Sequence, residues 1–140
     1  MSTPKKTKPK AAKAAAPVPA SIVWFEVPAD EVGRAKSFYN KLFGWKMNKM
    51  PGPMEYWHMD TGGADASPDG GVMKRQNPGQ QGITNYIGVA SVEKAAAKVE
   101  KLGGKICMPK QAVPNMGYFA ICQDPEGNMF GVWQKDAKAG

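Results

Sequence analysis

Glu26 alternates with Trp24 in the run Ile22-Val23-Trp24-Phe25-Glu26-Val27, so a strand there puts the carboxylate and the indole on one face, with Pro28 beyond them. A charge on a face otherwise patterned for burial is uncommon. Glu26 is therefore a candidate to attract a cationic ligand or to act as a general base. The plainer alternative is a solvated carboxylate near a cavity mouth, paired with Arg75 or a lysine. His58 is the only histidine and a second catalytic candidate, as a proton donor. It shares a strand face with Tyr56, so the two reach a site together or not at all. The plainer reading of His58 is a surface or hydrogen-bonded structural residue.

The elements that must position these groups are written twice in the chain. Ile22 to Val27, a short break, and Glu31 to Gly44 reappear sixty residues on as Gly82 to Ile87, a break, and Ser91 to Gly104. Val32 falls on Val92, Ala35 on Ala95, Leu42 on Leu102 and Gly44 on Gly104. The spacing of Val32, Ala35, Tyr39 and Leu42 predicts a helix, with Phe38 and Phe43 widening its apolar stripe. Val92, Ala95, Ala96, Val99 and Leu102 predict a second. Asp30 and Ser91 are the expected caps, and Gly44 and Gly103-Gly104 the stops. Three short strands follow each helix: Trp45–Met50, Glu55–Asp60 and about Gly71–Arg75, then Lys105–Pro109, Gly117–Cys122 and Asn128–Gln134. The expectation is an α+β fold. Two βαβββ modules, about 21–76 and 82–135, form curved mixed sheets around a central pocket, with helices outside. The repeat carries Trp24, Glu26 and Pro28 onto Thr84, Tyr86 and Gly88.

The formal charge of +7 is uneven. Lys5, Lys6, Lys8, Lys10 and Lys13 lie in the first twenty residues, which hold no acidic residue; without them the charge is +2. Residues 1–20, rich in Lys, Ala and Pro, cannot bury enough apolar surface to fold and read as a disordered tail. Lys10, Lys13 and Pro17 interrupt any apolar region a secretory signal would need. The tail serves solubility or makes weak contact with nucleic acid or another polyanion. Residues 21–137 are the expected domain and 138–140 a short tail. No apolar run approaches the roughly 20 residues of a membrane helix. Cys107 and Cys122, the only cysteines, read as reduced thiols in a cytoplasmic protein.

Three segments carry a resemblance. Arg34 to Trp45, with its Phe38-Tyr39 pair and Gly44, resembles the first-helix signature of the vicinal oxygen chelate superfamily, which holds glyoxalases, bleomycin-resistance proteins and extradiol dioxygenases. Val92 to Gly104 resembles its second helix, and Asp124-Pro125-Glu126-Gly127-Asn128 the turn before its last strand. Phe38, Tyr39, Phe43 and Trp45 are expected to be core and helix-packing residues.

The resemblance implies a divalent ion held by four inward His or Glu side chains, which would take two neighbouring oxygens of a substrate. Those positions fall on Trp24, Thr84, Gly131 and a residue within Gly71–Arg75. An indole is only a donor, a neutral hydroxyl is a poor ligand, and glycine has no side chain. No metal or other cofactor is expected. Gly131 brings Met129 and Trp133 to the same side. The expected ligand-binding set is Trp24, Glu26, Thr84, Tyr86, Gly131 and Trp133, with Met73 near and Gly88 and Gly131 leaving room. Such a lining suits a flat or aromatic small molecule.

Three functions remain open: a metal-free small-molecule binding protein; a metal-independent enzyme with Glu26 as base and His58 or Tyr86 as acid, or, less favoured, a metal-dependent lyase or dioxygenase; and a nucleic-acid-associated protein acting through its tail. The resemblance also implies a homodimer.

Overall fold

The computed structural model describes residues 19–63, 67–76 and 82–140. The lysines at 5, 6, 8, 10 and 13 lie outside the described residues. The elements run β1 (Ile22–Ala29), α1 (Val32–Phe43), β2 (Lys46–Lys49), β3 (Tyr56–Asp60), β4 (Asp69–Lys74), β5 (Thr84–Gly88), α2 (Val92–Lys101), β6 (Lys105–Val113), β7 (Gly117–Gln123) and β8 (Met129–Lys135). This is βαβββ twice, as the internal repeat requires.

The strands make one mixed sheet, ordered β2-β3-β4-β1-β5-β8-β7-β6. Within the modules β1 pairs parallel with β4, and β5 with β8. Antiparallel pairing of β1 with β5 joins the modules, setting Trp24 opposite Tyr86 and Glu26 opposite Thr84.

Alternation divides each strand between two faces. The outer face of the first module buries Val27, Ala29, Met59 and Val72 against Val32 of α1, with Ala35 and Tyr39 packed beside them. The outer face of the second buries Ala120, Cys122 and Val132 against Val92 of α2, with Ala95 and Val99. Each helix thus covers its own module. Trp24, Glu26, Tyr56, His58, Tyr86, Gly131 and Trp133 alternate with these core residues and belong to the inner face.

The helix ends follow local chemistry. Gly44 adopts φ 76°, and its amide donates to the Asn40 carbonyl, closing α1. The Ser91 side chain accepts from the Lys94 amide at 3.1 Å, as expected of a cap. Asp30 is not the cap of α1. Glu31 holds that position without a side-chain cap bond, and the Asp30 carboxylate accepts from Arg75 Nε at 2.9 Å instead. In the turn before β8, Asp124 accepts from the amides of Glu126 and Asn128, while Gly127 supplies φ 87°.

Other expectations need correction. Phe38, Leu42 and Phe43 are 59%, 57% and 57% exposed, and Leu102 is 70% exposed. They are not core. The sheet-facing stripe of α1 is narrower, Val32, Ala35 and Tyr39, and Phe43 instead packs its ring 5.0 Å from that of Trp45. β4 starts at Asp69, ahead of the expected start at about Gly71. Residues 138–140, read as a tail, end packed on the chain: Ala139 is buried and its carbonyl accepts from the Asn115 amide at 2.9 Å. Among the described residues no helix is long and apolar enough to cross a membrane.

Candidate ligand site on the inner face

At the centre of the inner face, four side chains from three strands, β1, β3 and β5, form one hydrogen-bonded chain. The Trp24 indole N–H donates to the Tyr56 hydroxyl at 2.9 Å. The Tyr56 O–H donates to Glu26 Oε2 at 2.7 Å. The Tyr86 O–H donates to Glu26 Oε1 at 3.0 Å. Each carboxylate oxygen thus receives one phenol, from opposite sides of β1.

Two glycines make this convergence possible. Gly71 lies beside Glu26 in the β1–β4 ladder, and a Cβ there would collide with the Tyr56 ring. The phenol therefore lies across Gly71 to reach β1. Gly131 pairs with Tyr86, and a Cβ there would collide with the Tyr86 ring. The space at Gly131 was expected to stay open for a ligand; it seats Tyr86 instead. At Gly88 an added Cβ would lie 3.0 Å from Val23 Cγ1, so that space too is filled by the chain itself.

Burial pushes the Glu26 carboxyl above its ordinary value of 4.5, while the bonds from Tyr56 and Tyr86 work against the rise. Burial pushes both phenols up strongly, and the Glu26 charge adds to the effect. Both tyrosines keep their protons across the neutral range, so the two donors stay committed to Glu26.

His58 does share this face with Tyr56. Its ring centroid is 5.3 Å from that of Trp24, and its Nε2 lies 2.9 Å from Asp69 Oδ2. Asp69 Oδ1 accepts from the Thr61 amide and hydroxyl, both at 3.0 Å. Burial works against ionisation of Asp69, but the Thr61 amide, His58 and the Thr61 hydroxyl outweigh it and hold the carboxyl below its usual range. An ionised carboxylate only accepts, so His58 Nε2 carries the proton of that bond.

In the second module the Phe119 ring stands edge-on to Tyr86, with centroids 6.3 Å apart. Trp133 pairs with Phe119, and its indole lies over Gly117. Thr84 is half-buried opposite Glu26, and Met73 is buried opposite Tyr56. The six residues expected as ligand-binding therefore share one face, with His58 at its side. Sequence reasoning missed Tyr56 as the hub, Asp69 as the anchor of His58, and Phe119. Tyr56 had a signal in its shared alternation with His58. Asp69 had none, hidden by the glycines around it. A separate cavity of about 420 Å³ lies on the helix side of the sheet, lined by Val27, Ala29, Asp30, Arg34, Phe38 and Arg75. It does not include Glu26.

A curved sheet built from two βαβββ modules, with helices outside and polar groups gathered inside, defines an architecture shared by a large class of small-molecule enzymes and binding proteins. Residues 21–132 match the family described as Glyoxalase/Bleomycin resistance protein/Dioxygenase superfamily, and the chain belongs to it. It is 28% identical over 136 residues to the anthracycline biosynthesis protein DnrV of Streptomyces peucetius, covering 87% of this chain and 50% of that one. It is 30% identical over 122 residues to a glyoxylase-like domain-containing protein of Didymella fabae, covering 84% and 95%. The chain spans about half the length of DnrV and nearly all of the Didymella protein. Among solved structures, Streptomyces coelicolor methylmalonyl-CoA epimerase superposes with a TM-score of 0.66 at 11% identity, covering 86% of this chain and 98% of that one. A superfamily member from Vibrio splendidus superposes with 0.61 at 15%, covering 84% and 100%. At such identities the likeness establishes the fold alone.

The residues at the family's metal positions do not fit a divalent ion. Trp24 turns its only polar hydrogen to Tyr56 and offers no lone pair. The Gly131 position is filled by a phenol ring, and the Gly71 position by another. Thr84 is a neutral hydroxyl. β4, expected to offer no carboxylate or imidazole, does carry one on the inner face: Asp69, already bonded by His58 and Thr61. Among the described residues no three His, Cys, Asp or Glu side chains gather as a metal-binding group.

Proposed function

We propose that this chain is a small-molecule binding protein of the superfamily that works without a bound metal and takes a flat or aromatic organic ligand on its inner face. The observation that carries this reading is the Trp24–Tyr56–Glu26–Tyr86 chain, which puts a preorganised carboxylate among aromatic rings where metal-using relatives carry their ligands. Tyr86, Phe119, Trp24 and Trp133 supply ring faces for stacking. The name of DnrV agrees with such a ligand, since anthracyclines are flat polycyclic compounds. The test is a tryptophan-fluorescence screen against planar aromatic compounds. A saturable change in the native protein, weakened at least about tenfold by Trp24→Ala, is the expected result. A screen without a saturable ligand would overturn the reading.

A second reading, metal-independent proton transfer with Glu26 as base, draws on the raised Glu26 carboxyl and on His58 lying at the same face. It is weaker for Tyr86 as the acid, whose proton is committed to Glu26. Turnover of any bound ligand, abolished by Glu26→Gln while binding persists, would favour it. A homodimer and a polyanion contact through the lysine tail are accessory proposals. Sedimentation tests the first. Salt-dependent DNA binding, lost on deleting residues 1–20, tests the second.

A further inference from the structure

The hydrogen-bonded chain at the centre of the inner face has committed its own polar hydrogens. Trp24 has one polar hydrogen, on Nε1, and gives it to Tyr56. Tyr56 has one and gives it to Glu26. Tyr86 has one and gives it to Glu26. At the side of the cluster, His58 gives its Nε2 hydrogen to Asp69. What remains is acceptor capacity. Each Glu26 oxygen receives one phenol and has a lone pair left, and among the described residues the Tyr86 oxygen accepts no hydrogen bond. The Thr84 hydroxyl, opposite Glu26, turns to serve either role.

We propose that this centre selects ligands carrying a hydrogen-bond-donating cation, an ammonium group attached to a flat aromatic body, and rejects ligands that present an oxyanion there. The inference rests on the reading of the inner face as a binding site and names the ligand class for it. An ammonium offers several N–H donors and a positive charge to a half-buried carboxylate, and charge-assisted bonds of this kind are the strong ones. The rings of Trp24, Tyr86 and Phe119 around it favour a cation further. A carboxylate or enolate oxygen meets the negative charge and lone pairs of Glu26, against which the Thr84 hydroxyl is a single neutral donor. That is the reverse of a metal centre, which exists to hold such oxygens. The phenols cannot adapt by turning a proton outward without stripping Glu26 of a donor in a half-buried position, which is costly.

The test uses calorimetric titration of the full chain with naphthylmethylammonium, naphthoate and methylnaphthalene, substituted at the same ring position. The native protein is expected to bind the ammonium at least about tenfold more tightly than the carboxylate, with the hydrocarbon between them. Glu26→Gln replaces a carboxylate oxygen by an N–H donor and is expected to abolish or reverse the preference, read as the ratio of ammonium to naphthoate affinity within the variant. Tyr86→Phe removes a donor and adds none, so the ammonium preference is expected to persist; this variant decides the matter if Glu26→Gln does not fold. Naphthoate binding as tightly as the ammonium in the native protein, or a preference that survives in Glu26→Gln, would overturn this inference alone. Failure of all three probes to bind would remove the binding-site reading and this inference with it.

Discussion

The Tyr56 hydroxyl stands 2.7 Å from Glu26 Oε2, although the two residues sit on strands separated by β4. The phenol spans that distance because the strand between them carries Gly71, whose missing Cβ leaves the ring a path. Tyr86 makes the matching approach from β5 beside Gly131. The centre of the site is thus built from two glycines as much as from its polar groups.

Gly71→Ala and Gly131→Ala are therefore expected to act on the site rather than on the two cores. Each added methyl displaces a tyrosine ring from Glu26. The expected loss of stability is about 1–3 kcal/mol, as for overpacking elsewhere, together with at least about tenfold weaker ligand binding. Denaturant unfolding and calorimetric titration of both variants check this. Wild-type affinity in both would mean that the rings do not need these paths.

Tyr56→Phe removes one donor from Glu26 and the acceptor of the Trp24 N–H together. The expected cost is about 1–3 kcal/mol, because half-buried polar groups are left unpaired. The emission of Trp24 is expected to shift as its indole loses its partner. Emission spectra of this variant in a background where Trp45, Trp57 and Trp133 are replaced by Phe check the second point.

Acid is expected to separate binding from folding. Glu26 has a raised carboxyl, so its burial opposes folding when it is charged, and that opposition disappears as pH falls through its folded value. Asp69 has a lowered carboxyl. Its contribution is present above the unfolded carboxylate range and is lost as pH falls through its lowered folded value. Affinity for an aromatic ammonium is therefore expected to fall first, above the ordinary Glu value of 4.5, while Tm declines only at lower pH. Titration calorimetry and thermal melts at matched pH values check the order. A simultaneous loss would place both effects on one group.

The core and the exposed face of α1 differ in consequence. Met59 is fully buried and Leu42 is 57% exposed. Met59→Ala is expected to cost about 2–5 kcal/mol, and Leu42→Ala to stay within about 0.5 kcal/mol. Urea unfolding of the two variants checks the contrast.

Much of the architecture was legible because the repeat states it twice. Val32 and Val92, at matching places, are both buried at the starts of their helices, and Gly44 closes the first helix with the positive φ expected of it. Strand alternation also put Trp24, Glu26, Tyr86 and Trp133 on a common face. It could not reveal how far a long side chain reaches across its neighbours, so Tyr56 was a companion of His58 rather than the hub, and Gly131 was open space rather than a seat. Asp69 falls just before the expected start of its strand at about Gly71, among glycines, yet pairing with Trp24 in β1 makes it a strand residue. Phe38 and Leu42 fitted a helical stripe, but a helix lying on a single sheet buries only a narrow one.

The central claim is that the inner face binds through Glu26 and its aromatic neighbours without a metal. The most direct measurement is the affinity for an aromatic ammonium before and after exhaustive chelation, with metal content determined on the same sample. Affinity unchanged by chelation is the expected result. Affinity lost on chelation and restored by a stoichiometric divalent ion would contradict the claim.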